Sequence, residues 1–218
     1  MSSAAEPTTP LVALVCSAAG LVAMTQVLGR LAPGFPGAIV ALDHQQPDRP
    51  SRLAAILATR CRLPVREARY GDRLVAGEVL VVPPGVHAVA TRTDTIVLLS
   101  TGGTPPGRPS ADLLLATLAV TGGTRVIAVI LSGTGPDGAA GALAVHDFGG
   151  TVIVDDEPAA EPFATAAATI DRDDAANTAL PVRTIANRLM ELCARPMVTT
   201  PTGRPASSEP QRFTWEPS

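Results

Sequence analysis

A hydroxyl, an imidazole and a carboxylate, each placed after an apolar, β-branched run, are the groups of this chain that could do chemistry together. Ser17 follows Leu11 to Cys16 (LVALVC), and His44 follows Gly37 to Asp43 (GAIVALD). Asp137 lies in the glycine-rich segment after Val126, Ile127, Val129, Ile130 and Leu131. In that combination a serine can serve as nucleophile and a histidine as general base and then acid, while an aspartate fixes the imidazole tautomer and stabilises its charged form. Backbone amides of the glycine loop are candidate donors to an oxyanion.

The elements that must position these groups are legible as alternating strands and helices. Short, near-continuous apolar runs read as strands buried on both faces of a parallel sheet. In such a sheet the carboxyl ends share one edge, so Ser17, His44 and Asp137 can converge although they are far apart in sequence. Between the first two runs, Ser17 to Gly20 reads as a tight turn and Leu21 to Ala32 as a helix with Leu21, Met24, Leu28 and Leu31 on one face. Ser51 is placed to cap a helix from Arg52 to Cys61 with Leu53, Ile56 and Leu57 inward. Short strands are expected over Leu63 to Glu67 and Glu78 to Val82, with Gly71, Asp72 and Gly77 as turn residues, then an antiparallel hairpin from Val86 to Arg92 and Thr95 to Ser100.

Further along, Ser110 can cap a helix from Ala111 to Val120 that presents Leu114, Leu115 and Leu118 to the sheet. Gly138 to Phe148 reads as a helix, Thr151 to Val154 as a strand and Val182 to Ala194 as a last amphipathic helix. The predicted class is therefore α/β, doubly wound, with a mainly parallel sheet, helices on both faces and an antiparallel hairpin. Residues 1–10 read as a disordered N-terminus, 11–194 as one domain, and 195–218, rich in Pro, Thr, Ser and Arg and holding Trp215, as a flexible tail.

Each of the three residues also has a purely structural reading. Asp137 could cap the helix that starts at Gly138, Ser17 could cap the one at Leu21, and His44 could be a hydrogen-bonded loop histidine. His87 and His146 stand where surface or packing roles dominate. A third reading of the loop takes Gly133, Gly135 and Gly138 as the G-x-G-x-x-G of a dinucleotide site, with Asp155 and Asp156 as ribose-binding acids. Electrostatics opposes it, because Asp137 would put a carboxylate where a pyrophosphate should meet the helix N-terminus.

Composition narrows the classes further. The 218 residues are 46% hydrophobic and carry a net charge of −3, which suits a folded domain and leaves no basic field for nucleic acid. No run of Lys or Arg suggests an anionic membrane surface, and no segment reaches the ~18 apolar residues of a membrane span. Cys16, Cys61 and Cys193 are odd in number, widely spaced and without C-x-x-C pairs, so neither a disulfide framework nor a zinc site is indicated. No Lys or Arg precedes Leu11, Glu6 does, and a reduced cytoplasm fits better than export. No cofactor or metal is expected.

Val12 to Gly20, Ile39 to His44, Arg108-Pro109-Ser110 with Asp112, and above all Leu131 to Gly141 (LSGTGPDGAAG) resemble the successive motifs of the CheB-type chemotaxis methylesterases. Gly77 to Gly85 and Gly149-Gly150 with Asp156 and Glu157 match in order, so the similarity spans about Leu11 to Leu192. The resemblance implies a protein-glutamate methylesterase that hydrolyses γ-glutamyl methyl esters on chemoreceptor helices and often deamidates glutamine at the same sites. It implies Ser17, His44 and Asp137 as the triad and the backbone amides of Ala18 and Thr134 as oxyanion donors. The alternative on the same fold is a catalytically impaired binding or regulatory module.

The family's usual turn, G-x-S-x-G-G, stands here as Val15-Cys16-Ser17-Ala18-Ala19-Gly20. If position 19 takes positive φ, alanine there costs about 1 kcal/mol or more. Phe163 to Ala166 replaces a phenylalanine-glycine-methionine-proline segment that is usual in the family. The receiver domain that normally precedes the catalytic domain is not expected here, which leaves constitutive activity, a regulatory partner in trans or duty outside chemotaxis.

Overall fold

The computed structural model describes residues 9–45, 51–100, 109–131, 137–156 and 178–195. The expected terminal segments up to residue 8 and from 196, with Trp215, lie outside the described residues, as do Thr134 and Phe163 to Ala166.

The principal sheet is built from β1 (Leu11–Ser17), β2 (Ala38–His44), β3 (Val65–Glu67), β5 (Val79–Val81), β8 (Val126–Ile130), β9 (Thr151–Asp155) and β10 (Thr178–Leu180). Its order is β10-β9-β8-β1-β2-β5-β3, and every pairing is parallel. The chain leaves β1 toward β2 on one side and returns to β8 on the other, so the order reverses at β1 and opens a crevice at its carboxyl end, where Ser17 stands.

Alternation along the strands sends their side chains into two cores. Val12, Leu14 and Cys16 point to the layer of α1 (Leu21–Arg30), α2 (Leu53–Ala58) and α5 (Val182–Cys193). Leu11, Ala13 and Val15 point to that of α3 (Ala111–Gly122) and α4 (Ala139–Asp147). Helices on both faces make the sheet doubly wound, as expected. Met24 and Leu28 of α1, Leu53 and Leu57 of α2, and Leu114, Leu115 and Leu118 of α3 are fully or nearly fully buried.

Some local readings need correction. The hairpin forms, as β6 (His87–Ala90) and β7 (Thr95–Leu99), but with β4 (Asp72–Arg73) it makes a separate antiparallel sheet of order β4-β7-β6. Asp72, read as a turn residue, pairs within that sheet as part of β4. Arg125 anchors this sheet from a buried position: its guanidinium donates to both carboxylate oxygens of Asp94 at 2.8 and 3.0 Å and to the Thr9 carbonyl at 2.9 Å. Strand β10 had no signature in the sequence. Helix α2 is shorter than its apolar pattern suggested, and Ile56, expected inward, is 43% exposed. Ser51 nonetheless serves that helix start, its Oγ accepting from Leu53 N at 3.1 Å.

Candidate active site

Ser17 and His44 are the last residues of neighbouring strands, and they are register partners. Residues paired in register across parallel strands lie about 4.8 Å apart and point to the same face. Both therefore project from the sheet's carboxyl edge toward the α3 and α4 layer, on the side of Val15 and Leu42. Ser17 is buried and extended, and its side chain makes no capping bond to the 3₁₀ turn Ala18–Gly20 that leads into α1, so the capping role does not hold. The backbone of Ala18 follows immediately in that turn. Asp94 is the only non-glycine residue at positive φ among the described residues, so Ala19 bears no left-handed strain.

Asp137 meets His44 across the crevice: His44 Nε2 lies 2.6 Å from Asp137 Oδ2. The carboxylate does not cap α4, the helix that follows it. It accepts instead from the start of α3, with Oδ2 receiving Ala111 N at 2.8 Å and Oδ1 receiving Asp112 N and Ser110 Oγ, each at 3.0 Å. With His44, four donors meet the roughly four lone-pair positions of a carboxylate. Burial pushes the Asp137 carboxyl up, but the bonds from His44 and from the amides of Asp112 and Ala111 outweigh it and hold its pKa at about 2. Asp137 is thus ionised at neutral pH and can only accept. His44 Nε2 must carry the hydrogen of their bond, which leaves Nδ1 as the basic ring nitrogen.

The start of α4 is served by Asp112, which sequence reasoning treated only as part of a motif. Its Oδ1 accepts from Gly138 N at 2.9 Å and Gly141 N at 2.7 Å. Burial raises the Asp112 carboxyl, the Gly141 amide opposes this, and the neighbouring charge of Asp137 raises it further. Gly138 takes φ 108°, a backbone region that favours glycine. Two amides at the start of α4, those of Gly138 and Gly141, are already occupied by Asp112, and Asp155 is buried at the end of β9. Gly133 and Gly135, the other glycines of the dinucleotide reading, lie outside the described residues.

Two further side chains support the carboxylate. Ser110 caps α3 as expected, accepting from Leu113 N at 3.3 Å, while its own O–H goes to Asp137. His87, buried on β6, accepts the Ser110 N–H on Nδ1 at 3.2 Å, so its packing role lies beneath this seat. His146 is in the last turn of α4 and is partly buried. Behind Ser17 and His44, Cys16 and Asp43 pair on the opposite face at 3.8 Å. Burial, with Asp43 beside it, pushes the Cys16 thiol up and removes it as a competing nucleophile. A signal for Asp112 existed in the sequence, as an acid in the first turn of a capped helix, but nothing local says that it serves another helix.

The fold and this edge define a doubly wound α/β domain with a serine, a histidine and an aspartate gathered at its topological switch point. A profile of the CheB methylesterase family matches residues 12–189, and the chain belongs to that family. Protein-glutamate methylesterase/protein-glutamine glutaminase 2 of Anaeromyxobacter dehalogenans (strain 2CP-C) is 38% identical over 184 residues, covering 83% of this chain and 52% of its own length. Protein-glutamate methylesterase/protein-glutamine glutaminase 4 of Burkholderia thailandensis is 36% identical over 188 residues, 85% of this chain and 54% of its own length. The chain spans about half the length of these curated relatives. The crystal structure of the Thermotoga maritima CheB methylesterase catalytic domain superposes with a TM-score of 0.79 at 29% identity, covering 85% of this chain and all of that one. Among the described residues no helix is long and apolar enough to cross a membrane.

Proposed function

We propose that residues 11–194 form the catalytic domain of a cytoplasmic protein-glutamate methylesterase acting on methylated chemoreceptors, with glutamine deamidation as a related activity, and that Ser17, His44 and Asp137 are its triad. The observation that carries this reading is the 2.6 Å bond between His44 and the ionised Asp137, beside a serine held in register with that histidine.

In this mechanism His44 Nδ1 takes the proton of Ser17 Oγ as the oxygen attacks the γ-carbonyl of the methyl ester. Asp137 holds Nε2–H and stabilises the imidazolium that forms. The Ala18 and Thr134 amides donate to the oxyanion. The tetrahedral intermediate collapses, methanol leaves with the proton from His44, and a glutamyl ester on Ser17 remains. Water, deprotonated by the same imidazole, then releases glutamate and restores the serine. Deamidation follows the same course with ammonia as leaving group.

The test is methanol release from methylated receptor by the wild-type chain and by Ser17→Ala. Turnover should fall by at least about 10³-fold in the variant. Equal rates reject Ser17 as the nucleophile.

A further inference from the structure

A cleft of about 520 Å³ runs between α1 and α2, with Leu21, Val22 and Gln26 on one wall and Arg52, Ile56 and Arg60 on the other. Its size falls within the ~300–1,000 Å³ of ligand clefts. Both helices already commit their inward faces to the sheet, through Met24 and Leu28 and through Leu53 and Leu57. Val22, 66% exposed, and Ile56, 43% exposed, are therefore apolar surface that packing within the domain does not use. Beyond the cleft α1 and the end of α2 come together: a Cβ on Gly29 would sit 3.2 Å from the Arg60 carbonyl. One end of the cleft reaches the carboxyl edge of the sheet, where Leu21 follows Ser17 by one 3₁₀ turn.

The charged residues that line it, Arg52 and Arg60, are of one sign. Residues 18–36 and 51–62, which hold both helices and their flanks, contain Arg30, Arg52, Arg60 and Arg62 and no Asp or Glu, in a chain whose net charge is −3. A groove between two helices that is lined by Leu21, Val22, Ala55 and Ile56 together with Arg52 and Arg60 is complementary to an amphipathic helix with carboxylates beside its apolar stripe.

We propose that this cleft docks the acidic helix that bears the methyl ester, gripping the turns next to the reacting glutamyl group. Apolar residues of the partner at i, i+3 and i+4 would rest on Val22 and Ile56, and its free glutamates would face Arg52 and Arg60. The proposal rests on the methylesterase reading: the ester enters at Ser17 and His44, and the rest of the helix crosses the sheet's carboxyl edge into the cleft.

The test compares methanol release from methylated receptor with hydrolysis of p-nitrophenyl acetate, a small ester that needs no docking. In an Arg52→Glu/Arg60→Glu variant, KM for receptor should rise about tenfold or more while kcat and p-nitrophenyl acetate hydrolysis stay within about twofold. The wild-type KM should rise with salt, and that of the variant should change less. A Val22→Ser/Ile56→Ser variant, checked for an unchanged thermal melt, should raise KM in the same way without altering the salt response. Receptor turnover with unchanged KM in both variants overturns the docking site alone, as does sedimentation showing the cleft covered by a second copy of the chain. A wild-type chain that hydrolyses p-nitrophenyl acetate but releases no methanol from receptor overturns the methylesterase reading and the docking site with it.

Discussion

Asp112 and Asp137 exchange helix starts: each lies at the head of one helix and caps the other. Asp137, just before α4, accepts from the Ala111 and Asp112 amides of α3, while Asp112, in the first turn of α3, accepts from the Gly138 and Gly141 amides of α4. Two negative groups are thereby held close together, each compensated by orphan N–H groups and the positive end of a helix. The exchange fixes the orientation of the carboxylate that meets His44.

Removing one side of the exchange should loosen the other. Asp112→Ala leaves the Gly138 and Gly141 amides without their acceptor and should lower stability by about 1–2 kcal/mol, measured by urea unfolding. Asp112→Asn keeps an acceptor oxygen and should recover most of the loss. An alanine variant as stable as the wild type would show that the cap is idle.

The contact between α3 and α4 depends on Gly141. A Cβ there would meet Leu115 Cβ at 2.6 Å and the Asp112 backbone at 2.9 and 3.0 Å, so one helix would have to move. Gly141→Ala is expected to cost about 1–3 kcal/mol and to reduce methanol release by displacing Asp137. A thermal melt and an activity assay on the same sample check both.

Ser110→Ala removes the O–H donated to Asp137 Oδ1 and the oxygen that accepts from Leu113 N. The expected loss is about 1 kcal/mol of stability and a severalfold fall in kcat with KM retained, since the seat of the carboxylate changes and the docking surface does not. A change confined to KM would contradict this.

Acid should reveal the Asp137 seat. Its folded-state pKa of about 2 lies below the ~3.9 of an unfolded aspartate, so its ionised form adds stability that is complete above the unfolded value. That stability is lost as pH falls through the folded value. Asp112, raised by burial, has the opposite sign and loses its contribution as pH rises. The stability gap between wild type and Asp137→Asn, on the order of 1–2 kcal/mol at pH 6, should therefore shrink toward pH 2. Urea midpoints across that range measure it, and a constant gap would reject the depressed pKa.

Much of the framework was legible because it depends on near neighbours in the chain. The apolar runs of β1, β2 and β8 mark buried strands, Ser110 marks the start of α3, and Leu114, Leu115 and Leu118 mark its buried face. The positions of Ser17 and His44 at strand ends follow from the same runs. Ile56 shows the limit of this signal, since a helical period places it with Leu53 and Leu57 but the cleft beside α1 leaves it in water. Strands β4 and β10 were hidden for a related reason: they are too short to carry a period of their own and exist only where a partner strand completes them.

By itself, then, the sequence determined which side chains stand at the carboxyl ends of the central strands and that an alternating α/β chain would bring those ends to one edge. Tertiary structure decided that Ser17 and His44 pair in register and face the same layer, that Asp137 turns toward α3, and that Asp112 answers it across the gap to α4. Strand pairing and helix packing set these relations between residues distant along the chain. Local propensity is blind to them, because the energy that fixes each donor and acceptor appears only when the elements are already in contact.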